Sequence, residues 1–167
     1  MRRDEYQNED WFEFLEEDLQ SLLITSSILM EKASSWDEKL IDYSFVVFPA
    51  AKAYEGYLKK IFYERGFISK DDYYGKRFRI GKALNPSLDP RFKNESVYRK
   101  IAISPEKKEL ADKLWETWKL CRNILFHWFP DEKNTVTLNE AGERVARIID
   151  TMSNCFAGCN IKYDQSK

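Results

Sequence analysis

Residues 121–128 read Cys-Arg-Asn-Ile-Leu-Phe-His-Trp, and His127 is the only histidine in the chain. An arginine with a histidine five positions after it is a pair that can cut a ribose phosphodiester without a metal. The guanidinium of Arg122 stays charged at any physiological pH and can clamp phosphate oxygens through two parallel hydrogen bonds. The imidazole of His127 can take the proton of a 2′-hydroxyl or give one to the leaving 5′-oxygen near neutral pH. Asn123 lies four residues before His127, on the same face if the segment is a regular helix. Arg122 would then stand about 140° round from His127, an offset that a long arginine side chain can bridge. A position near a helix C-terminus would also favour the protonated imidazole.

Competing chemistries share these residues. Cys121, His127, Cys155 and Cys159 could offer three sulfurs and one nitrogen to zinc, with Cys155 and Cys159 one helical turn apart. Cysteine is equally a small core residue, and both Cys121 and Cys155 fall on or beside apolar seams. Glu55 and Lys59 have the spacing of a favourable surface ion pair, with Lys52 one turn before, so an exposed salt-bridge triplet is one reading of that stretch. Glu55 set opposite Arg122, orienting the guanidinium or acting as a base, is the other. Trp115, Trp118 and Trp128 flank the motif and could stack bases or pack a core.

The elements that must hold these residues are helical throughout. Phe12, Leu15, Leu19, Leu22, Leu23 and Leu29 predict a first helix over about 9–33. Ser34-Ser35-Trp36-Asp37 predicts its end and the next cap. A second long helix runs to Glu64, stepping through Ile41, Phe45, Phe48, Lys52, Glu55 and Lys59. Pro49 predicts a kink in it or a break into two pieces, and Arg65-Gly66 closes it. Ser104-Pro105-Glu106 starts a helix expected to reach Trp128, where Phe129 precedes Pro130. Its seam is Leu114, Trp118, Cys121, Leu125 and Trp128. Thr137-Leu138-Asn139-Glu140 is a capping box for a last helix, whose seam runs from Leu138 through Ala141, Val145, Ile148 and Met152 to Phe156. No stretch alternates like a strand. The expected fold is therefore all-α, a bundle of four to five helices, with an irregular basic insert between the second and penultimate long helices. One domain is expected over 1–167, with its core at about 9–158 and a tail at 159–167.

Charge is distributed unevenly. The net charge is −1, which argues against a nucleic-acid coat protein driven by bulk charge. Yet residues 76–108 hold ten bases against three acids, whereas residues 1–20 hold eight acids against Arg2 and Arg3. Within the insert a short helix is expected around Lys76–Leu84 and loop elsewhere. Its cations Lys76, Arg77, Arg79 and Lys82, followed by Arg91, Lys93, Arg99 and Lys100, could be a solvated surface or a rail for RNA. Lys52 and Lys59 could extend that rail. No apolar run is long enough to cross a bilayer, the acidic start does not resemble a signal peptide, and three cysteines fit reduced thiols, so a cytoplasmic location without membrane contact is expected.

Arg122-Asn123 with His127, near the end of the penultimate helix of an all-α domain, resembles the HEPN superfamily (the higher-eukaryote and prokaryote nucleotide-binding domain). Ribonuclease members carry arginine, a polar residue, then histidine after four to six intervening positions. The stretch from Phe48-Pro49-Ala50 to Lys59-Lys60 looks like the second helix of the toxin domain in RNase LS-type toxins, and the likeness spans about residues 38–158. It implies a HEPN-like bundle, and a metal-independent endoribonuclease acting as a toxin or anti-phage effector. The expected dimer is a homodimer with its active site at the interface. The chemistry implied is attack of the 2′-hydroxyl on its own phosphate, giving a 2′,3′-cyclic phosphate and a 5′-hydroxyl. His127 is the implied general acid/base, Arg122 the group that neutralises the transition state, Asn123 an orienting residue, and Glu55 the helix-two glutamate beside the pair. No cofactor and no metal are called for, and a protein antitoxin or inhibitor is a candidate regulator. Those toxins carry further N-terminal domains without counterpart in these residues, so what such domains recognise does not transfer. Toxins whose antitoxin modifies a tyrosine two positions after the histidine differ too, because that position is Phe129 here. A non-catalytic HEPN-fold module binding RNA or protein is the alternative, and a purely structural helical adaptor a third.

Overall fold

The computed structural model describes residues 6–128, 130 and 134–158, and among them every regular element is helical. Eight α-helices follow one another: α1 Asp10–Glu13, α2 Glu17–Ser34, α3 Ser44–Glu64, α4 Lys70–Tyr74, α5 Ile80–Ala83, α6 Val97–Ile101, α7 Pro105–Trp118 and α8 Leu138–Gly158. A 3₁₀ turn covers Pro90–Glu95 and a π turn Lys119–Asn123. The all-α expectation holds. The tail at 159–167, with Cys159, and Phe129 lie outside the described residues, as do residues 1–5.

Helix α3 is the axis of the bundle, packed most extensively against α2 and α8. Val46, Val47, Ala50, Ala53, Tyr54, Tyr57, Leu58 and Ile61 turn one face of it inward. Two tyrosines span that core and spend their hydroxyls on helix carbonyls: Tyr54 donates to Leu114 O at 3.0 Å on α7, and Tyr57 donates to Met152 O at 2.7 Å on α8. Burial pushes the Tyr54 hydroxyl well above its ordinary pKa, so it remains a neutral donor. Thr117 and Thr151 share a 2.9 Å hydrogen bond between α7 and α8, and Ser26 of α2 donates to Val46 O. The polar groups of this interior thus satisfy one another, which a buried hydroxyl requires.

Several boundaries differ from expectation for local reasons. The first long helix is split between Glu13 and Glu17, where the chain turns and buries both Phe14 and Leu15. The Gln20 amide closes the break by donating to Phe12 O at 3.0 Å and Leu15 O at 3.2 Å. The second long helix starts at Ser44, later than the Asp37 cap predicts, because Asp42 is the capping group: it accepts from Ser44 N at 3.1 Å and from the Ser44 hydroxyl at 2.6 Å. Pro49 does not break α3 into two pieces. It lies in the second turn and is itself buried, so it removes only the hydrogen bond to Phe45 O. Gly66 ends the helix at φ 66°, with Phe67 N reaching Phe62 O at 2.8 Å and Gly66 N reaching Tyr63 O at 2.9 Å, the paired closure that glycine permits. Both capping signals in the last third hold: Ser104 accepts from Lys107 N, and Thr137 and Glu140 cap each other reciprocally.

The insert is more ordered than loop. Ser69 and Asp72 form a capping box for α4, Ser96 caps α6, and the expected helix at Lys76–Leu84 contracts to α5. Tyr98 and Lys108 both donate to Asp112, each at 2.6 Å, fastening α6 to α7.

Candidate functional site

The segment that carries the motif is not one regular helix. Helix α7 ends at Trp118, the chain widens into the π turn, and residues 124–126 form a turn that leaves His127 outside helical geometry. Same-face spacing of Asn123 and His127 therefore does not apply, and neither does the 140° offset. The seam survives the change. Leu114, Trp118, Cys121 and Leu125 stay buried, while Trp128 is 81% exposed. Helix α8 secures the π turn from below: the Arg144 guanidinium donates to Leu120 O, and the Cys121 thiol points to Arg144 O at 3.7 Å. One-turn π bulges of this kind recur at functional sites because they re-aim a side chain without unravelling the helix.

The side chain re-aimed is Arg122. Its Nε lies 3.6 Å from Glu55 Oε2, with each side chain 38% exposed. Its Cζ sits 5.4 Å from the centre of the Trp118 ring. An ion contact from one edge and a ring beneath fix the plane of the guanidinium, and both terminal nitrogens remain without a protein partner among the described residues. That free fork is the part of arginine that clamps a phosphate. Glu55 thus faces Arg122, not Lys59, so the surface triplet of Lys52, Glu55 and Lys59 does not form. Lys59 instead donates to Tyr73 O at 3.1 Å and Gly75 O at 3.3 Å.

Arg122 and Glu55 stand on the wall of a groove of about 740 Å³ between α2 and α3. Phe48, Lys52, Glu55 and Lys59, which step along the second long helix, all line it. This stripe is therefore a groove wall, and the core lies on the opposite face of α3. Leu19 and Leu22 of α2 form part of the floor, which is why they are only half-buried. Asn123 and His127 are exposed and do not line the groove. The His127 backbone is placed from the far side, where Asn134 Nδ2 donates to His127 O at 3.0 Å. Val136 N in turn reaches Asp42 Oδ1 at 3.1 Å, and Tyr43 N reaches Val136 O at 2.9 Å.

A family model described as RNase LS, bacterial toxin DBD domain matches residues 7–129. The chain belongs to that family. The match takes in α1 to α7, the π turn, the groove and the Arg122–His127 segment, and it ends before α8. No curated protein and no solved structure matches the chain.

In this toxin-type domain the remaining candidate residues fall elsewhere. Arg77, Arg79 and Lys82 line a second cavity of about 630 Å³ in the insert, together with Lys100. Lys82 pairs with Glu95 at 2.7 Å, Arg79 donates to Lys76 O at 2.7 Å, and Lys100 donates to Phe67 O at 2.6 Å. Lys76 and Arg77 are exposed. The insert also supports the site, because α5 lies under Trp118. A side chain at Gly81 would place its Cβ 2.9 Å from Trp118 Nε1, so glycine lets the indole that carries Arg122 seat closely.

The zinc set does not assemble among the described residues, where no three candidate ligands cluster. Cys121 and Cys155 are buried in the core, whereas His127 is exposed. Burial pushes the Cys121 thiol up to about 11, so it is a protonated packing group and not a nucleophile. Of the tryptophans, Trp118 is the buried support of Arg122 and Trp128 the exposed ring. Sequence reasoning missed Asp42, Asn134 and Arg144 as positioning groups. Asp42 two residues before Ser44 was readable as a helix cap, but Arg144 gives no local signal.

No helix of the described residues is long and apolar enough to cross a membrane.

Proposed function

We propose that the domain is a HEPN-type endoribonuclease that cleaves RNA without a metal and acts as a cytoplasmic toxin or anti-phage effector. The observation that carries this reading is the Arg122 guanidinium, lining an open groove with its Nε 3.6 Å from Glu55, in a chain of the RNase LS toxin family. Arg122 binds the scissile phosphate and neutralises the charge that builds on its oxygens. His127 takes the proton of the 2′-hydroxyl, the 2′-oxygen attacks the adjacent phosphorus, and the bond to the 5′-oxygen breaks. That oxygen leaves with a proton from an imidazolium, giving a 2′,3′-cyclic phosphate and a 5′-hydroxyl. Glu55 is a positioning residue for Arg122, and Asn123 orients phosphate or imidazole. Lys52 and Lys59 on the groove wall, with Lys76, Arg77, Arg79 and Lys82 of the insert, hold the flanking backbone. Because His127 lies beyond the groove lining, the working unit is a homodimer in which each exposed His127 segment borders the partner's groove. A protein antitoxin or inhibitor restrains it.

Labelled RNA incubated with the purified protein in EDTA tests the reading. Cleavage that survives chelation, leaves cyclic phosphate ends and is lost in His127→Ala and Arg122→Ala is the expected result. The position of His127 outside the groove also favours a second reading, a HEPN-fold module that binds RNA or protein without cutting. Tight RNA binding with every phosphodiester intact would decide for it.

A further inference from the structure

Lys52, Lys59 and Arg122 give the α2–α3 groove cations along one wall, and the space between them and α2 is of another character. Its floor and walls are apolar where Leu19, Leu22, Phe48, Ala51 and Phe126 meet, and Asp18 and Glu55 bring negative charge into it. A phosphate seated among those apolar side chains would gain no donor from them. A flat, uncharged ring needs none. Phe48, near the start of α3, is 55% exposed although the helix buries its opposite face in the core. It is held edge-to-face by Phe126, with ring centres 5.4 Å apart and planes at 80°. Phe126 is four residues after Arg122 and lines the same groove, so one aromatic pair and one guanidinium share a single mouth. The volume of about 740 Å³ falls in the range of small-ligand pockets and exceeds the needs of one nucleobase.

We propose that this groove seats one unstacked nucleobase next to the phosphate clamped by Arg122, with the exposed face of Phe48 as its stacking platform. The substrate class that follows is single-stranded or looped RNA. A base inside a duplex keeps both faces covered by its neighbours, and the A-form helix offers a protein no ring to stack on. Base–aromatic stacking tolerates any sequence, since every base has a π-face. The cations at the rim, Lys52 and Arg122, grip the backbone on either side of the seated base. This inference rests on the ribonuclease reading for the identity of the ligand, but base binding and cleavage are separable in experiment.

The test pairs binding and turnover. Binding is measured with the full chain carrying His127→Ala, using a single-stranded oligoribonucleotide, the same strand annealed to its complement, and the same strand with one abasic position scanned along it. Turnover is measured on the same substrates with the histidine intact. The single strand binds, the duplex binds much more weakly, and one abasic position lowers affinity by about 5- to 150-fold, the loss expected for one stacked base. Phe48→Ala causes a loss of the same size and removes the sensitivity to the abasic position, because the two changes delete one contact. Phe48→Trp restores both. Ile103→Ala, an exposed apolar truncation outside the groove, changes neither. Single-strand binding with these dependences but no cleavage would sink the nuclease reading and leave the base seat standing. Cleavage that ignores Phe48→Ala, equal affinity for duplex and single strand, or no RNA binding at all would overturn the base seat.

Discussion

Two cavities of similar size hold candidate RNA-binding cations, and they are built on opposite principles. In the insert, Lys82, Arg79 and Lys100 are each tied to a carboxylate or carbonyl a short distance away, on short helices at the protein surface. In the α2–α3 groove, Arg122 is held by one carboxylate edge-on and one indole face, with its donor fork unspent. The first arrangement offers diffuse positive charge that any polyanion can use. The second offers a single oriented donor beside an apolar slot. The difference teaches where to look for chemistry: not where the charge density is highest, but where a charge is held in place with donors left for a ligand.

Substitution of Arg122 in the groove, or of His127 beyond it, separates the two most sharply. Arg122→Ala and His127→Ala are each expected to lower kcat by about 10²- to 10⁴-fold, with affinity for RNA reduced far less, read by single-turnover cleavage of labelled RNA. Loss of affinity without loss of kcat would move Arg122 into the same class as the insert cations.

Gly81→Ala probes a physical link between the insert and Arg122. A Cβ at 2.9 Å from Trp118 Nε1 forces the indole to shift, and Arg122 rides on that ring. Misplacing a catalytic group by a fraction of an ångström to an ångström costs on the order of tenfold to a hundredfold in turnover. The expected result is a fall in kcat with little change in KM. Unaltered kcat, alongside a perturbed tryptophan fluorescence, would show that the insert does not position the site.

A milder effect is expected for Arg77→Ala with Arg79→Ala. Each lost phosphate contact reduces the slope of log affinity against log salt by about 0.7 for single-stranded RNA, while kcat stays constant. A salt titration of binding reads this directly. An unchanged slope would assign the insert to surface solvation and leave the groove alone in holding RNA.

How much of this was legible in the sequence depends on how local the causes are. The seam of α8, that of α7 as far as Leu125, the Ser104 and Thr137 caps and the Gly66 stop are patterns within one or two turns, and each is legible locally, whereas Trp128, expected on the same seam, is exposed. The Ser69–Asp72 box and the Ser96 cap were equally local and were passed over because glycines and prolines dominate the insert. Placing Arg122 near Glu55 required a resemblance, since 67 positions separate the two residues. The π turn was not legible at all. It depends on Arg144 reaching Leu120 O from another helix, and nothing within residues 105–128 announces that contact. The groove escaped for the same reason: Phe48 and Leu22 look like core residues along their own helices, and only the packing of α2 and α3 with the Arg122–Phe126 segment leaves them facing a cavity.

The smallest effect concerns how the insert is fastened. Tyr98 and Lys108 both donate to Asp112, and these bonds hold its carboxyl below the usual carboxylate range, with Lys108 first and Tyr98 second in effect. A carboxyl whose pKa is lower in the folded state stabilises the fold above its unfolded pKa of about 3.9. That contribution disappears as pH falls through the depressed folded-state value. Asp112 is 43% exposed, so solvent screening keeps the gain modest. Tyr98→Phe is therefore expected to destabilise the domain by about 1 kcal/mol at pH 7. The gap between variant and wild type should close in acid, below the folded-state pKa of Asp112, as read by paired urea melts. A gap that persists there would mean that the Tyr98 hydroxyl acts through packing and not through the carboxylate. The insert would then be fastened by neutral contacts like those of the bundle core, and its charges would owe nothing to holding it in place.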